Sequence, residues 1–145
     1  MQYIILSLIV LFCNILYAEE IIIDATATTN ITTFTLANKS TYSIFKSDGS
    51  WTSSLGDYGH LQCMGPIEKT DKNFKLNHMC QFTNQNNEKI WARVIREGDQ
   101  DAYVGVGKMV FIDATGNYIR LIGFKCNYGI KYLDNKIFQL AKCKK

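Results

Sequence analysis

The sequence predicts an all-β protein, a single antiparallel up-and-down β-barrel of about eight strands stapled by two hairpin disulfides. After residue 18, apolar residues recur with the two-residue period of a strand and almost never with a helical period. Runs rich in β-branched and aromatic residues alternate with short segments rich in Asn, Asp and Gly. Because nearly every connection has the length of a turn, consecutive strands are expected to pair, and closing such a meander removes exposed edges.

The first element is the uncharged, mostly apolar segment 1–18, MQYIILSLIVLFCNILYA. A membrane-spanning helix needs about 20 apolar residues, so the segment is short for a membrane span. We predict a signal peptide cleaved after Ala18, with an uncleaved anchor as the alternative. Residues 19–145 then form one domain, long enough for a single core. The mature protein is expected to be secreted or periplasmic, with no stable membrane span after signal removal.

The strand segments follow in order along the rest of the chain. We predict them at residues 20–28, 31–37, 40–46, 50–55, 60–67, 74–83, 89–96, 102–112, 117–128 and 136–143. The intervening breaks carry turn residues, for example SDGS at 47–50, TDKN at 70–73 and LDNK at 133–136. Pro66 is expected to bend or end its strand.

The first of the two predicted disulfides follows from hairpin geometry. Facing residues of an antiparallel hairpin have numbers that add to a constant. A turn centred between Asp71 and Lys72 places Cys63 opposite Cys80. Facing residues lie at distances that a disulfide can span, so we predict that these two cysteines are bonded.

The second disulfide follows in the same way from the turn Asp134–Asn135, whose two residues both tolerate positive φ. That turn places Cys126 opposite Cys143. Signal removal would take away Cys13, and the four cysteines that remain in an exported chain also favour two disulfides in general.

Side-chain alternation assigns the cysteines to the inward face of each hairpin. The cysteine face of the first hairpin is apolar apart from His78, which faces Gly65 across the strands. His78 is therefore a candidate polar group inside a ligand cavity, with Gly65 leaving space and the inward aromatic residues Phe82 and Tyr128 completing the site. The alternative is a core histidine bonded to a backbone carbonyl.

Metal and redox sites are not predicted. Met64 and Met79 would lie on the face opposite the cysteines, and no closely spaced CxxC pair is present. We expect no cofactor. With Trp91, the two methionines are candidates for a surface patch that contacts a partner, although scattered exposed apolar residues are common.

Charge gives no support for nucleic-acid binding. The net charge is only +3, the lysines are scattered, and no basic stripe is interleaved with aromatic residues. The glycines at 105–107 lack the strand–helix context of a dinucleotide site. The oligomeric state is not set by any feature of the sequence.

One segment is similar to a known family. GVGKMVFIDATGNYIRLIGFKCNY, residues 105–128, resembles the glycine-rich pattern near the end of allene-oxide-cyclase-like barrels, which are small lipocalin-like proteins. The matching residues are Gly105, Gly107, Thr115, Gly116, Tyr118 and Gly123. The resemblance implies a barrel with an apolar cavity. It does not transfer the cyclase's catalytic residues, because KMVFIDA lengthens the segment between the glycines and Thr115.

Three functions fit these observations. The first is binding of a small apolar molecule in or at the mouth of the barrel. The second is a secreted interaction or inhibitor module that uses the surface patch. The third is a barrel cyclase or isomerase, which would require inward ionisable groups such as His78, Asp113 and Arg120. We favour binding without catalysis.

Overall fold

The computed structural model describes residues 19–98 and 104–145, so the predicted signal peptide lies outside the described residues. Eight antiparallel strands form a closed barrel in which each strand pairs with its sequence neighbours and the first pairs with the last. The strands are β1 Glu20–Thr35, β2 Thr41–Ser53, β3 Tyr58–Lys69, β4 Phe74–Asn84, β5 Lys89–Gly98, β6 Val104–Ala114, β7 Lys125–Leu133 and β8 Lys136–Lys144. The predicted fold class is confirmed.

The core lies inside the barrel because inward and outward residues alternate along each strand. In β4 the residues at even positions from Phe74 to Asn84 are buried, and those between them are exposed or half-buried. Side chains from all eight strands meet in one apolar cluster. Its largest fully buried members include Phe82, Phe111, Phe124, Ile21 and Leu61.

Both predicted disulfides are confirmed. Cys63 faces Cys80 and Cys126 faces Cys143 in the strand registers, and each pair is bonded. Their Cα atoms are 4.0 and 3.9 Å apart, respectively, and all four residues are buried in the interior. In the second hairpin, Asp134 takes a φ of 52°. The turns therefore set the registers that sequence reasoning assigned.

The predicted turn SDGS at 47–50 is wrong, because these residues lie within the continuous strand β2. Gly49 faces Ala27 on β1. A Cβ atom on Gly49 would lie 2.0 Å from the Thr26 carbonyl oxygen and 2.4 Å from the Ala27 Cα. The glycine therefore permits a close approach of two strands, and it does not mark a turn.

The predicted strand 117–128 is partly wrong. Its first part forms a 3-10 helix, Gly116–Leu121, and β7 begins only at Lys125. Gly116, the first residue of the helix, and Gly123, which follows it, have φ values of 58° and 89°, a backbone region that favours glycine. Two further predictions divided continuous strands. The segments predicted at 20–28 and 31–37 are both parts of β1, and those predicted at 40–46 and 50–55 are both parts of β2.

The 3-10 helix defines one end of the barrel, which we call the helix end. The buried ring of Tyr118 lies there, and its hydroxyl accepts a hydrogen bond from the Asn84 side-chain amide at 3.1 Å. The nearby Trp51 indole donates to the Thr83 carbonyl at 3.2 Å. No helix within the described ranges is long and apolar enough to cross a membrane.

The opposite end is uneven. The β1–β8 register ends where Thr28 faces Lys136, yet β1 continues to Thr35 paired with β2. We call residues 30–46, the projecting part of this hairpin, the arm, and this end of the barrel the arm end. Side chains on the projecting part of β1 are exposed on both faces.

Candidate functional site

A buried arginine lies toward the arm end of the barrel. Arg96 is on the inward face of β5 and only 7 % exposed. Its guanidinium carbon is 4.8 Å from the centroid of the Phe74 ring, and the group is hydrogen-bonded to Tyr132. A Cβ atom on Gly105 would lie 3.2 Å from a guanidinium nitrogen, so this glycine leaves room for the side chain. A cation is thus held among aromatic rings.

The barrel interior next to Arg96 contains a cavity of about 20 Å³. A single water molecule needs roughly 10–15 Å³, so the space fits a water and not an organic molecule. The polar residues that line it are Ser47, His78, Arg96, Tyr128, Tyr132 and Gln139. Within the described chain, the Ser47 hydroxyl and His78 Nε2 are buried without a hydrogen-bond partner.

His78 is held in place by stacking. Its ring lies 4.3 Å from the Phe45 ring, centroid to centroid, with the two planes at 11°. Gly65 stands opposite, and a Cβ atom there would be 2.8 Å from the His78 Cα. Burial, and secondarily the positive charge of Arg96, lowers the pKa of His78 from 6.5 to about 4. The imidazole is therefore neutral at physiological pH.

This pKa makes stability depend on pH. Between about pH 6.5 and pH 4 the unfolded chain binds a proton at His78 that the folded chain does not bind, so the free energy of unfolding falls as pH falls. The full loss is on the order of 3 kcal/mol.

Urea unfolding measured across this range should show the decline in the wild type. The variant His78→Phe, which keeps a ring against Phe45, should lose this component of the decline. His60→Gln, at the exposed histidine, should retain it; equal slopes in all three proteins would contradict the assignment.

A larger space lies on the outside of the wall, and we call it the wall groove. Its volume is about 970 Å³. Gly129, on the outward face of β7, leaves part of its floor open, since a Cβ atom there would meet nothing within 4 Å. The described β5–β6 register ends at Ile95 and Lys108, short of Arg96. The strands part at this point, and Arg96 and Tyr128 line both the wall groove and the interior cavity.

The wall groove combines apolar walls with positive charge. Three exposed apolar side chains line it: Ile95, Val106 and Leu140. Its charged lining residues are four cationic and two acidic side chains: Arg96, Lys108, Lys142 and Lys144 against Glu20 and Glu97. The lining charge is therefore positive, and a ligand that combines an apolar body with an anionic group would be complementary to it.

Tyr128 lines both the wall groove and the interior cavity, as Arg96 does. Its ring occupies the space left by Gly107, where a Cβ atom would lie 2.4 Å from the tyrosine hydroxyl. Burial raises the pKa of Tyr128 to about 12, an effect that Arg96 partly offsets. Burial likewise raises the pKa of Tyr132, again partly offset by Arg96. Both hydroxyls are therefore neutral donors at physiological pH.

The structure brings together some of the residues that the sequence predicted. His78 and Tyr128 line the same interior cavity, and Gly65 contacts His78. Phe82 lies apart, edge-on to Trp51 with the ring centroids 5.6 Å apart, and lines neither space. Sequence reasoning missed Arg96. Its position was available, because it continues the inward series Ile90, Ala92 and Val94.

The predicted surface patch consists of neighbours on the outer wall. Met64 faces Met79 across β3 and β4, and Trp91 lies diagonally from Met79 on β5. Met64 is 58 % exposed, whereas Met79 and Trp91 are half-buried.

The two other ionisable candidates do not point inward. Asp113 and Arg120 are exposed near the helix end. The Asp113 carboxylate accepts a hydrogen bond from the Ala114 amide, and Arg120 forms an ion pair with Glu19. Neither lines the interior cavity or the wall groove. In the parts of the chain that the structure describes, no group of three or more metal-ligating side chains occurs.

Comparison with known proteins supports the fold. No family model and no curated protein matches the sequence. A crystal structure of a conserved protein of unknown function from Rhodopseudomonas palustris is similar, with a TM-score of 0.68 at 10 % sequence identity. The match covers 87 % of this chain and 97 % of the other. At this identity the likeness concerns the fold alone, an eight-stranded antiparallel barrel.

The glycines that carry the resemblance to allene-oxide-cyclase-like barrels have structural explanations here. Gly105 and Gly107 make room for Arg96 and Tyr128, respectively. Gly116 and Gly123 take positive φ at the start of the 3-10 helix and just after it, respectively. None of these contacts requires the cyclase reaction.

Proposed function

We propose that this protein binds a small molecule with an apolar body and an anionic group, and that the wall groove beside Arg96 and Tyr128 is the site. The observation that carries the proposal is the junction of the two spaces, where the buried guanidinium reaches the floor of a groove with apolar walls. Small-molecule sites are typically about 300–1,000 Å³ in volume, mostly apolar and supplied with a few polar groups, and the wall groove has these properties.

Each part of the groove has a role in this proposal. Ile95, Val106 and Leu140 would cover the apolar body and remove its surface from water. Arg96 would bind the acid, since a guanidinium presents several donors in a plane that matches a carboxylate. The lysines at the rim would attract the anion and speed its arrival.

Binding without chemistry is the form of the proposal that the site supports best. His78 is neutral and lies in a cavity of about 20 Å³, which leaves a substrate no room beside it. The cyclase or isomerase alternative, and membership in the allene-oxide-cyclase-like group, draw support from the barrel fold and the glycine pattern alone.

We further propose that residues 1–18 are a signal peptide and that the domain functions outside the cytoplasm. Two intramolecular disulfides support this proposal, because such bonds persist in extracellular and periplasmic compartments.

Titration calorimetry with two probes of equal chain length, decanoate and decan-1-ol, tests the site. We expect decanoate to bind more tightly than the alcohol. The variant Gly129→Leu should weaken decanoate binding by about tenfold or more, because its side chain enters the groove without meeting any neighbouring atom at its Cβ.

Thr52→Leu is the matched control, since it adds a similar exposed side chain on β2, away from the groove. It should leave the affinity unchanged. If the acid and the alcohol bind with equal affinity, Arg96 and the lysines do not contribute to binding of the anionic group. Undetectable binding of both, or an equal effect of the two variants, would refute the wall groove as the site. The patch formed by Met64, Met79 and Trp91 would then become the favoured site, as a surface for a protein partner.

A further inference from the structure

The projecting part of β1 has a sheet edge with no strand beside it. From Ile23 to Thr28 the strand pairs with both β2 and β8. From Asn30 to Thr35 it pairs with β2, and no other described strand lies against its second side. Among the described residues, the second side of this segment is therefore a short open edge, at the arm.

The alternation of backbone directions along β1 shows which amide and carbonyl groups point toward this open edge. The Thr29 amide donates to the Asn135 carbonyl at 2.7 Å, on the β8 side of the strand. Because alternate residues of a strand direct their amide and carbonyl groups to the same side, those of Ile31, Thr33 and Thr35 point toward the open edge. The Leu36 amide donates to Ser40 at 2.8 Å, which agrees with the even-numbered residues bonding toward β2.

The edge lacks the usual features that prevent strand pairing. Natural edges are commonly protected by charged side chains, proline or a bulge. Residues 25–38, ATATTNITTFTLAN, contain no charge and no proline, and the β1–β2 register runs without a shift. Large apolar side chains are also exposed here, with Ile31 at 49 %, Phe34 at 64 % and Leu36 at 52 %.

We propose that this edge pairs with the same edge of a second copy of the chain, giving a two-fold dimer in which the two arms form one continuous antiparallel sheet. In a two-fold interface the same surface patch meets itself, so any charge in it faces its own copy. The open edge, residues 30–35, carries no charge and satisfies this condition, whereas a different partner would not require it. Thr32 and Thr33 lie near the centre of the pairing segment, where threonines of the two copies would pair across the strands.

The proposal specifies individual amides. In dilute protein, the amides of Ile31, Thr33 and Thr35 should exchange rapidly with solvent, whereas those of the intervening residues are protected by β2. Raising the concentration about a hundredfold should slow exchange at the three odd-numbered positions and leave the even-numbered ones unchanged. Residue-resolved hydrogen exchange by NMR, with sedimentation equilibrium on the same samples, measures both the protection and the mass.

Two double variants with the same added charge separate the edge from the rest of the wall. Ile31→Lys with Thr35→Lys should raise the dimer dissociation constant by about tenfold or more, because like charges would face each other across the two-fold axis. Thr26→Lys with Thr52→Lys adds two lysines at exposed positions whose strands are paired on both sides, and should leave it unchanged. Thermal unfolding of both checks that the barrel is intact.

The other outcomes overturn the proposal. If the protein stays monomeric over the whole concentration range and amide exchange does not change, the edge does not pair with a second copy. An extended peptide of another protein would then be the favoured partner. A dimer whose odd-numbered arm amides remain unprotected would place the interface elsewhere. An equal effect of the two double variants would show that added charge, and not the edge, governs association.

Discussion

Removing both disulfides is expected to lower the free energy of unfolding by about 6 kcal/mol, which is comparable to the total stability of many domains. Each bond joins residues 17 positions apart, and the two loops do not overlap. On the chain-entropy account each closure contributes about 3 kcal/mol, so the two contributions should be nearly equal and additive.

Urea unfolding of three variants measures this expectation: Cys63→Ala with Cys80→Ala, Cys126→Ala with Cys143→Ala, and all four substitutions together. Each pair should lower the midpoint by a similar amount, and the fourfold variant should be close to unfolded without denaturant. A pair that costs less than about 1 kcal/mol would show that its hairpin is already constrained in the unfolded chain.

Replacing Gly49 by alanine should destabilise the protein by about 3 kcal/mol or more. The added Cβ atom would lie 2.0 Å from a backbone oxygen and 2.4 Å from a backbone carbon of β1. Neither atom belongs to a flexible side chain, so the two strands must separate to relieve the contact. The cost should appear as a lower urea midpoint in the oxidised protein.

Gly129→Ala is the matched control within the same barrel wall. A Cβ atom there meets nothing within 4 Å, and Gly129 has no positive φ. This substitution should be neutral or should stabilise the protein by about 0.5 kcal/mol, by restricting the unfolded chain. Similar costs for the two alanines would mean that glycine is needed for a reason other than space at Gly49.

The hairpins were predictable because their determinants are local. Two turn segments and a simple count placed Cys63 opposite Cys80 and Cys126 opposite Cys143, and two-residue alternation placed all four inside. The same alternation placed His78 inside. These conclusions needed only the residues of one hairpin at a time.

The errors arose where distant segments meet. SDGS has the composition of a turn, but Gly49 is fixed by its approach to Ala27, 22 positions earlier in the chain. The wall groove depends on Gly129 of β7 standing between β6 and β8, and on the parting of β5 and β6 at Arg96. No single segment carries the shape of the groove. Arg96 is a different case, because the alternation within β5 already places it inside, and sequence reasoning missed it.

The seam between β1 and β8 has a consequence for the order in which the barrel is assembled. It pairs Glu20 with Lys144, and no covalent bond crosses it. Each disulfide hairpin, by contrast, can fold and oxidise once its own short stretch of chain is available. Contacts between distant parts of a sequence form slowly because a long loop must be closed first. We therefore expect the β8-facing side of β1 to remain unpaired until β8 has formed. The newly made protein would then exist for a time as an open sheet that already contains both disulfides and has two unpaired edge strands, β1 and β8.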